Sequence, residues 1–248
     1  MALAGTGTDN VDLGAARNLG IAVCNVRGYC TASVVQQVWA LILSLTQHVN
    51  EYSRMSRDGS WQHGPASAVL SHPIRELQGR VFGVVGWGEL ARGAARVAET
   101  FGMQVLIANR RGTEPTAGRL SLEALLPVAD ILSLHCPLTD STRGLIGARE
   151  LALMQPSALL INTARGALVD GAALAAALKN GRLAGAGLDV LANEPPIAGD
   201  PLLDPTLPNL LVTPHIAWAA REARQRCIDE MAANIHDFRS GGRRGRVV

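Results

Sequence analysis

Three polar residues stand just beyond apolar runs. Arg165 follows "SALLINTA", Glu194 follows "LAGAGLDVLAN" and His215 follows "NLLVTP". A guanidinium, a carboxylate and an imidazole at strand ends suit proton transfer on an anionic substrate. An imidazole is the natural general acid and base near neutral pH. A carboxylate bonded to its far nitrogen would fix its tautomer and favour its charged form. A guanidinium would neutralise a substrate carboxylate. Taken singly, each has a plainer reading. His215 could be a capping or core histidine, Glu194 a turn residue before two prolines, and Arg165 the partner of an internal acid such as Asp189. Their joint occurrence behind the loop described next points to one site.

That loop is "VVGWGELARG", with Gly86, Gly88 and Ala91 spaced as G-x-G-x-x-A. A strand precedes it and a helix follows, the context that gives the pattern meaning. Gly86 permits a tight turn, Gly88 lets a pyrophosphate approach the backbone, and Ala91 keeps the helix close to the sheet. The helix N-terminus then offers N–H groups to the phosphates. The plain alternative is a glycine-rich turn with no ligand. An acid that grips a ribose 2′-hydroxyl is expected about 20 residues on. The chain reads "ANRRG" instead, with Asn109, Arg110 and Arg111. An uncharged residue beside two guanidiniums accepts a 2′-phosphate better than a carboxylate would. The reading therefore leans to NADP(H) over NAD(H). The alternative has both arginines in solvent and Asn109 on a plain ribose.

The elements that must position these groups follow from residue 81 onward. Apolar strands "VFGVVG", "MQVLIAN", "DILSLHC", "SALLIN", "LAGAGLDV" and "NLLVTP" alternate with helical stretches. That alternation predicts an α/β fold, a doubly wound parallel sheet of Rossmann type, with ligands at the carboxyl ends of its strands. Upstream, "GIAVCNV" reads as a strand and residues 31–55 as one long, nearly all-apolar helix. A closing helix over about 219–239 carries Ile228, Met231, Ile235 and Phe238 on one face.

Composition narrows the class. The 248 residues are 48% hydrophobic and 4% aromatic, so small aliphatic side chains carry the packing. A net charge of +2 is too balanced to argue for nucleic acid. The basic stretch "RSGGRRGRVV" reads as a solvated tail. Cys24, Cys30, Cys136 and Cys227 form no C-x-x-C pair, so neither a metal site nor a disulfide framework is expected. No apolar run approaches the roughly 20 residues that span a bilayer. The expectation is a cytoplasmic protein with no membrane partner.

With these residues in hand, the chain resembles the D-isomer-specific 2-hydroxyacid dehydrogenases over essentially its whole length. The matching stretches are "GTGTDNVD", "NVRGY", "VVGWGELARGAARVAETFGMQV", "LHCPLTDSTRGLIG", "INTARGALVD", "GAGLDVLANEPP" and "VTPHIAW". "HPIREL", "ARELALMQP" and "HIAWAAREARQR" are most similar to the glycerate dehydrogenase, or hydroxypyruvate reductase, branch. The resemblance implies hydride transfer between NAD(P) and a small 2-hydroxy or 2-keto acid. In it, Arg165 binds the substrate carboxylate, His215 is the general acid and base, and Glu194 supports His215. Thr6 and Gly7 offer amides to the carboxylate. Gly86, Gly88, Glu89 and Leu90 lie along the pyrophosphate, and Asn109 and Arg110 lie at the adenosine ribose. His135, Pro137 and Thr142 line the adenine side. Thr163 and Ala164 pass beside the nicotinamide, Asp189 holds its carboxamide, and Thr31 sits near the phosphates. A homodimer is implied, with the helix at 31–55 suited to its interface.

The resemblance also implies a division: a dinucleotide-binding domain over 29–219, and residues 1–28 plus 220–248 as the remnant of a truncated substrate domain. Members of the family carry several strand and helix units before the "GTGTDN" stretch, whereas this chain starts at "MALAGTG". Two readings stay open. One is an active oxidoreductase on hydroxypyruvate, glyoxylate or a similar acid. The other is a catalytically weak or inert NAD(P)-binding remnant or partner subunit.

Overall fold

Among the described residues, seven short strands pair side by side, all in parallel. They are β1 (Val81–Val85), β2 (Gln104–Ala108), β3 (Arg119–Leu120), β4 (Ile131–Leu134), β5 (Leu159–Asn162), β6 (Gly185–Leu188) and β7 (Leu210–Val212). The sheet order is β3-β2-β1-β4-β5-β6-β7. This computed structural model describes residues 1–110, 112–113 and 116–248.

Every residue of β4, β5 and β6 is buried. Strands covered on both faces need continuous apolar sequence, which is why these runs do not alternate. Leu132, Leu134, Leu160 and Ile161 are fully enclosed. The covering helices include α4 (Glu89–Thr100), α5 (Leu122–Leu125), α6 (Ala148–Leu153) and α7 (Gly171–Lys179). Asp170 starts α7 by accepting the Ala173 amide at 3.0 Å, an ordinary side-chain N-cap.

Register decides what the sheet presents. Val85 pairs with Leu134, Leu134 with Asn162, Asn162 with Leu188, and Leu188 with Val212. Five strands therefore end on one row, about 19 Å long at about 4.8 Å per strand. The chain leaves β1 towards β2 on one side, and β4 opens the other side. That reversal is where such sheets bind ligands.

The chain divides into two compact units, residues 35–215, which contain the sheet, and residues 1–34 with 216–248. The second unit holds α1 (Leu13–Asn18) and α8 (Arg221–Arg239). Helix α2 (Thr31–Gln47) runs through the division.

Two sequence expectations need correction, and two others gain detail. The helix read over 31–55 is two helices, α2 and α3 (Val49–Arg57), broken at His48 with φ 50°. No glycine or proline announces that break. "GIAVCNV" forms only isolated bridges, Cys24 to Ala2 and to Arg246. The basic tail keeps its arginines exposed, but its backbone is paired: Asn25 donates to Gly245 at 2.9 Å and Val247 to Val23 at 2.8 Å. On α8, the buried residues are Ala223, Cys227 and Asn234, whereas Ile228, Ile235 and Phe238 are exposed. The four-residue step of Ala223 and Cys227 admits close packing on Val26 and Tyr29.

Candidate active site

His215 lies three residues beyond the end of β7, and its imidazole Nδ1 sits 2.6 Å from Glu194 Oε2. An ionised carboxylate only accepts, so Nδ1 carries the proton and Nε2 faces away from the pair. The other oxygen of Glu194 accepts the Leu191 amide at 2.8 Å. The carboxylate is thus held by one donor on each oxygen. The backbone of His215 adopts φ 53°. Its amide points at the Asp189 carbonyl (2.8 Å) and the Thr213 carbonyl (2.9 Å), which stabilises that left-handed turn. The imidazole is 39% exposed and the carboxylate 33%, open enough for a proton to pass to a bound molecule.

Arg165 lies three residues beyond the end of β5. Asn162, the last residue of that strand, shapes the turn: its Nδ2 donates to the Arg165 carbonyl at 2.8 Å and its Oδ1 accepts the Ala164 amide at 3.0 Å. The guanidinium donates to the Ala164 carbonyl at 2.8 Å. Arg165 and His215 leave the same carboxyl row, two strands apart. Gly166 allows a close backbone crossing. A first side-chain carbon there would overlap the Leu191 carbonyl. The glycine lets the Arg165 turn cross the segment whose amide holds Glu194.

At the centre of the row, β1 runs into Gly86, at φ 92°. A side-chain carbon on Gly86 would meet the Cys136 amide nitrogen at 2.7 Å, so β4's exit fills that space. At Gly88 nothing among the described residues lies within 4 Å of the same position. Gly88 precedes α4 and supplies no side-chain cap, with Glu89 and Leu90 in the first turn. The N-terminus of α4 therefore faces open space at Gly88, where an anion could approach. Past β2, Asn109 donates to the Thr113 carbonyl at 3.3 Å and Arg110 is exposed. Arg111 lies outside the described residues. Past β4, His135 bonds Ser133 Oγ at 2.9 Å, and burial pulls its pKa down to about 4, which keeps the ring neutral. Burial also pushes the Cys136 thiol up to about 11, so it is inert near neutrality. Thr142 accepts the Thr139 amide and donates to the Pro137 carbonyl, both at 2.8 Å, which closes the loop after β4.

The D-isomer specific 2-hydroxyacid dehydrogenase NAD binding domain family matches residues 39–217. The chain belongs to the D-isomer-specific 2-hydroxyacid dehydrogenases. It is 43% identical over 241 residues to the glycerate dehydrogenase of Methylorubrum extorquens, covering 97% of this chain and 76% of that protein. Its fold superposes on the TT0316 protein of Thermus thermophilus with a TM-score of 0.87 at 40% identity, covering 100% of this chain and 78% of that one. It likewise superposes on an NADPH-dependent glyoxylate/hydroxypyruvate reductase from Sinorhizobium meliloti, solved with NADP and malonate. There the TM-score is 0.86 and the identity 32%, with 100% and 76% covered. The family's cofactor is NAD(P)(H).

The residues present fit that cofactor. The open space at Gly88 admits a pyrophosphate. Thr163 Oγ1, just past β5, is buried with no hydrogen-bond partner among the described residues, as expected of a group whose partner arrives with a ligand. Asp189, just past β6, is fully buried and accepts from Thr213 Oγ1 at 2.5 Å. Ala164 lies between Thr163 and Arg165. The sheet unit thus brings Arg165, Glu194, His215, Asp189, Thr163 and the glycine loop to one edge. Thr6, Gly7 and Thr31 belong to the other unit. There Thr6 Oγ1 donates to the Val26 carbonyl at 2.7 Å, and Thr31 begins α2.

Sequence reasoning missed Asn162, Thr213 and the Leu191 amide. "INTARG" and "VTPH" signalled the first two, since each puts a short polar side chain at a strand end. The Leu191 amide carries no sequence signal.

Proposed function

We propose that this chain reduces a small 2-keto acid, such as hydroxypyruvate or glyoxylate, to its D-2-hydroxy acid, and runs the reverse oxidation. Glycerate dehydrogenase and glyoxylate/hydroxypyruvate reductase are names of its relatives. The observation that carries the reading is the doubly anchored Glu194–His215 pair on the row that also holds the glycine loop and Arg165.

When bound, NADPH or NADH supplies the hydride. Gly86, Gly88, Glu89 and Leu90 would hold its pyrophosphate, His135, Pro137 and Thr142 its adenine side, and Thr163, Ala164 and Asp189 its nicotinamide end. Arg165 pairs with the substrate carboxylate and polarises the keto oxygen. His215 gives a proton from Nε2 to that oxygen as it gains charge. Glu194 stabilises the imidazolium beforehand and holds its orientation. In the reverse direction Nε2 takes the hydroxyl proton. Asn109 and Arg110, with no carboxylate between them, favour NADPH over NADH. The reading includes a homodimer, supported by exposed Val49, Trp61, Leu70 and Ile74 on α3 and the segment after it.

The test mixes the purified chain with NADPH or NADH and hydroxypyruvate or glyoxylate and follows the nicotinamide absorbance band. Turnover is expected, with His215→Ala lowering kcat by roughly 10²–10⁴-fold. Cofactor binding without turnover would favour the inert-remnant reading instead.

A further inference from the structure

We infer that Gln37 and Thr213 are positioning residues: a hydrogen-bond relay from helix α2 that sets the plane of the Asp189 carboxylate for the nicotinamide end of the cofactor. The inference rests on the reading above that Asp189 meets that end.

Gln37 Nε2 lies 3.1 Å from Thr213 Oγ1, and Thr213 Oγ1 lies 2.5 Å from Asp189 Oδ1. The direction of both bonds follows from chemistry. An ionised carboxylate only accepts, so the single hydroxyl proton of Thr213 points to Asp189. The Leu188 carbonyl, 3.5 Å from the same hydroxyl, is the weaker alternative. With its proton committed, Oγ1 has only lone pairs left, so the side chain above it must donate. Gln37 presents its amide nitrogen.

Each member is held by separate structure. Thr213 is fixed by its own amide on the Leu188 carbonyl at 2.8 Å. Asp189 continues β6, with its amide on the Asn162 carbonyl at 2.9 Å. Gln37 is set by the seat of α2. Two residues on, Trp39 stacks on Phe82 and donates to the Ala94 carbonyl at 3.1 Å. One turn on, Leu41 lies so close to β6 that a side-chain carbon at Gly187 would be 2.9 Å from its Cβ.

The relay matters because Asp189 is fully buried. A buried carboxylate needs donors, and charge-assisted bonds are the strong ones. With Oδ1 pinned, the carboxylate plane is determined and does not have to be ordered when the cofactor binds. Such pre-organisation appears as affinity. It should also be local: only a ligand that carries the nicotinamide ring can sense it.

The experiment measures binding without turnover, by calorimetry, of NADP⁺ and of 2′-phospho-ADP-ribose, which lacks the nicotinamide. Thr213→Val keeps the shape and removes the donor. It is expected to weaken NADP⁺ about tenfold and to leave the ring-less ligand within about twofold. Thr213→Ser should restore NADP⁺ affinity. Gln37→Leu is expected to weaken NADP⁺ about threefold with the same selectivity. Equal loss of both ligands in Thr213→Val, or no loss of NADP⁺, overturns the inference. If that variant does not fold, Gln37→Leu decides by the same criterion. Failure of the native chain to bind either ligand refutes the functional reading instead, so the two failures are distinguishable.

Discussion

Replacing Glu194 by Gln probes the pair that carries the functional reading. The two oxygens of Glu194 accept from two donors, His215 Nδ1–H and the Leu191 amide. A carboxamide has one accepting oxygen, so its NH2 either clashes with the Leu191 amide or meets His215 Nδ1, which then can accept only by moving the ring proton to Nε2. The negative charge beside the imidazolium is lost as well. With charge centres about 4 Å apart, the Coulomb term is about 4 kcal/mol at an effective dielectric of about 20 and about 1 kcal/mol in bulk water. Both side chains are a third or more exposed, which places the effect towards the lower end, about 1–2 kcal/mol. That corresponds to about 5- to 30-fold in kcat for keto-acid reduction. The assay is steady-state turnover at saturating cofactor, beside a direct measurement of cofactor affinity. kcat should fall within that range while cofactor affinity stays within about twofold. A kcat unchanged in Glu194→Gln, with His215→Ala inactive, would refute the reasoning. So would a loss of cofactor affinity in proportion to the loss of rate.

Three more outcomes are expected. Gly166→Ala drives a methyl group into the Leu191 backbone, at a cost of roughly 1–3 kcal/mol. Thermal denaturation should show the melting point falling by about 3–10 °C, and kcat should fall too, because that backbone holds Glu194. Arg110→Ala should raise the KM for NADPH about fivefold and leave the KM for NADH within about twofold, as an exposed cation is worth about 1 kcal/mol. Equal effects on both would reject the cofactor preference. His135 links stability to pH through its depressed pKa of about 4. Between that value and its ordinary 6.5, the unfolded chain binds a proton that the folded chain excludes. Stability is therefore complete above about pH 6.5 and declines as pH falls towards 4, by at most about 3 kcal/mol. Urea unfolding at pH 7.5 and pH 5 should show a steeper loss in the native chain than in His135→Gln; parallel losses would exclude His135 as the source.

The sequence was most legible where a local pattern meets an obligatory conformation. Apolar runs too continuous to alternate read as strands of a covered sheet, and β1, β2, β4, β5, β6 and β7 lie within them, with β4, β5 and β6 buried at every residue. Two-residue β3 carries too little apolar sequence to be read. Gly86 was legible because a tight turn after a strand demands a residue that tolerates φ 92°. The break at His48 was not, because the left-handed residue there is neither glycine nor asparagine.

The amino-acid sequence by itself pointed to Arg165, Glu194 and His215 just beyond the carboxyl ends of strands, behind a nucleotide loop, because chain order and strand length settle where each run stops. Only the tertiary structure decided what holds them. Register aligned Val85, Leu134, Asn162, Leu188 and Val212 on one row, and that row set the Leu191 amide against Glu194 and Thr213 against Asp189. The tertiary structure also turned Ala223 and Cys227 of α8 inward, left Ile228 and Phe238 exposed, and paired the backbone of the basic tail with residues 23–25. The reason is one of range. Periodicity records which residues are apolar or polar along a few turns, whereas a partner 20 or 200 residues away is chosen by how closely two backbones can approach.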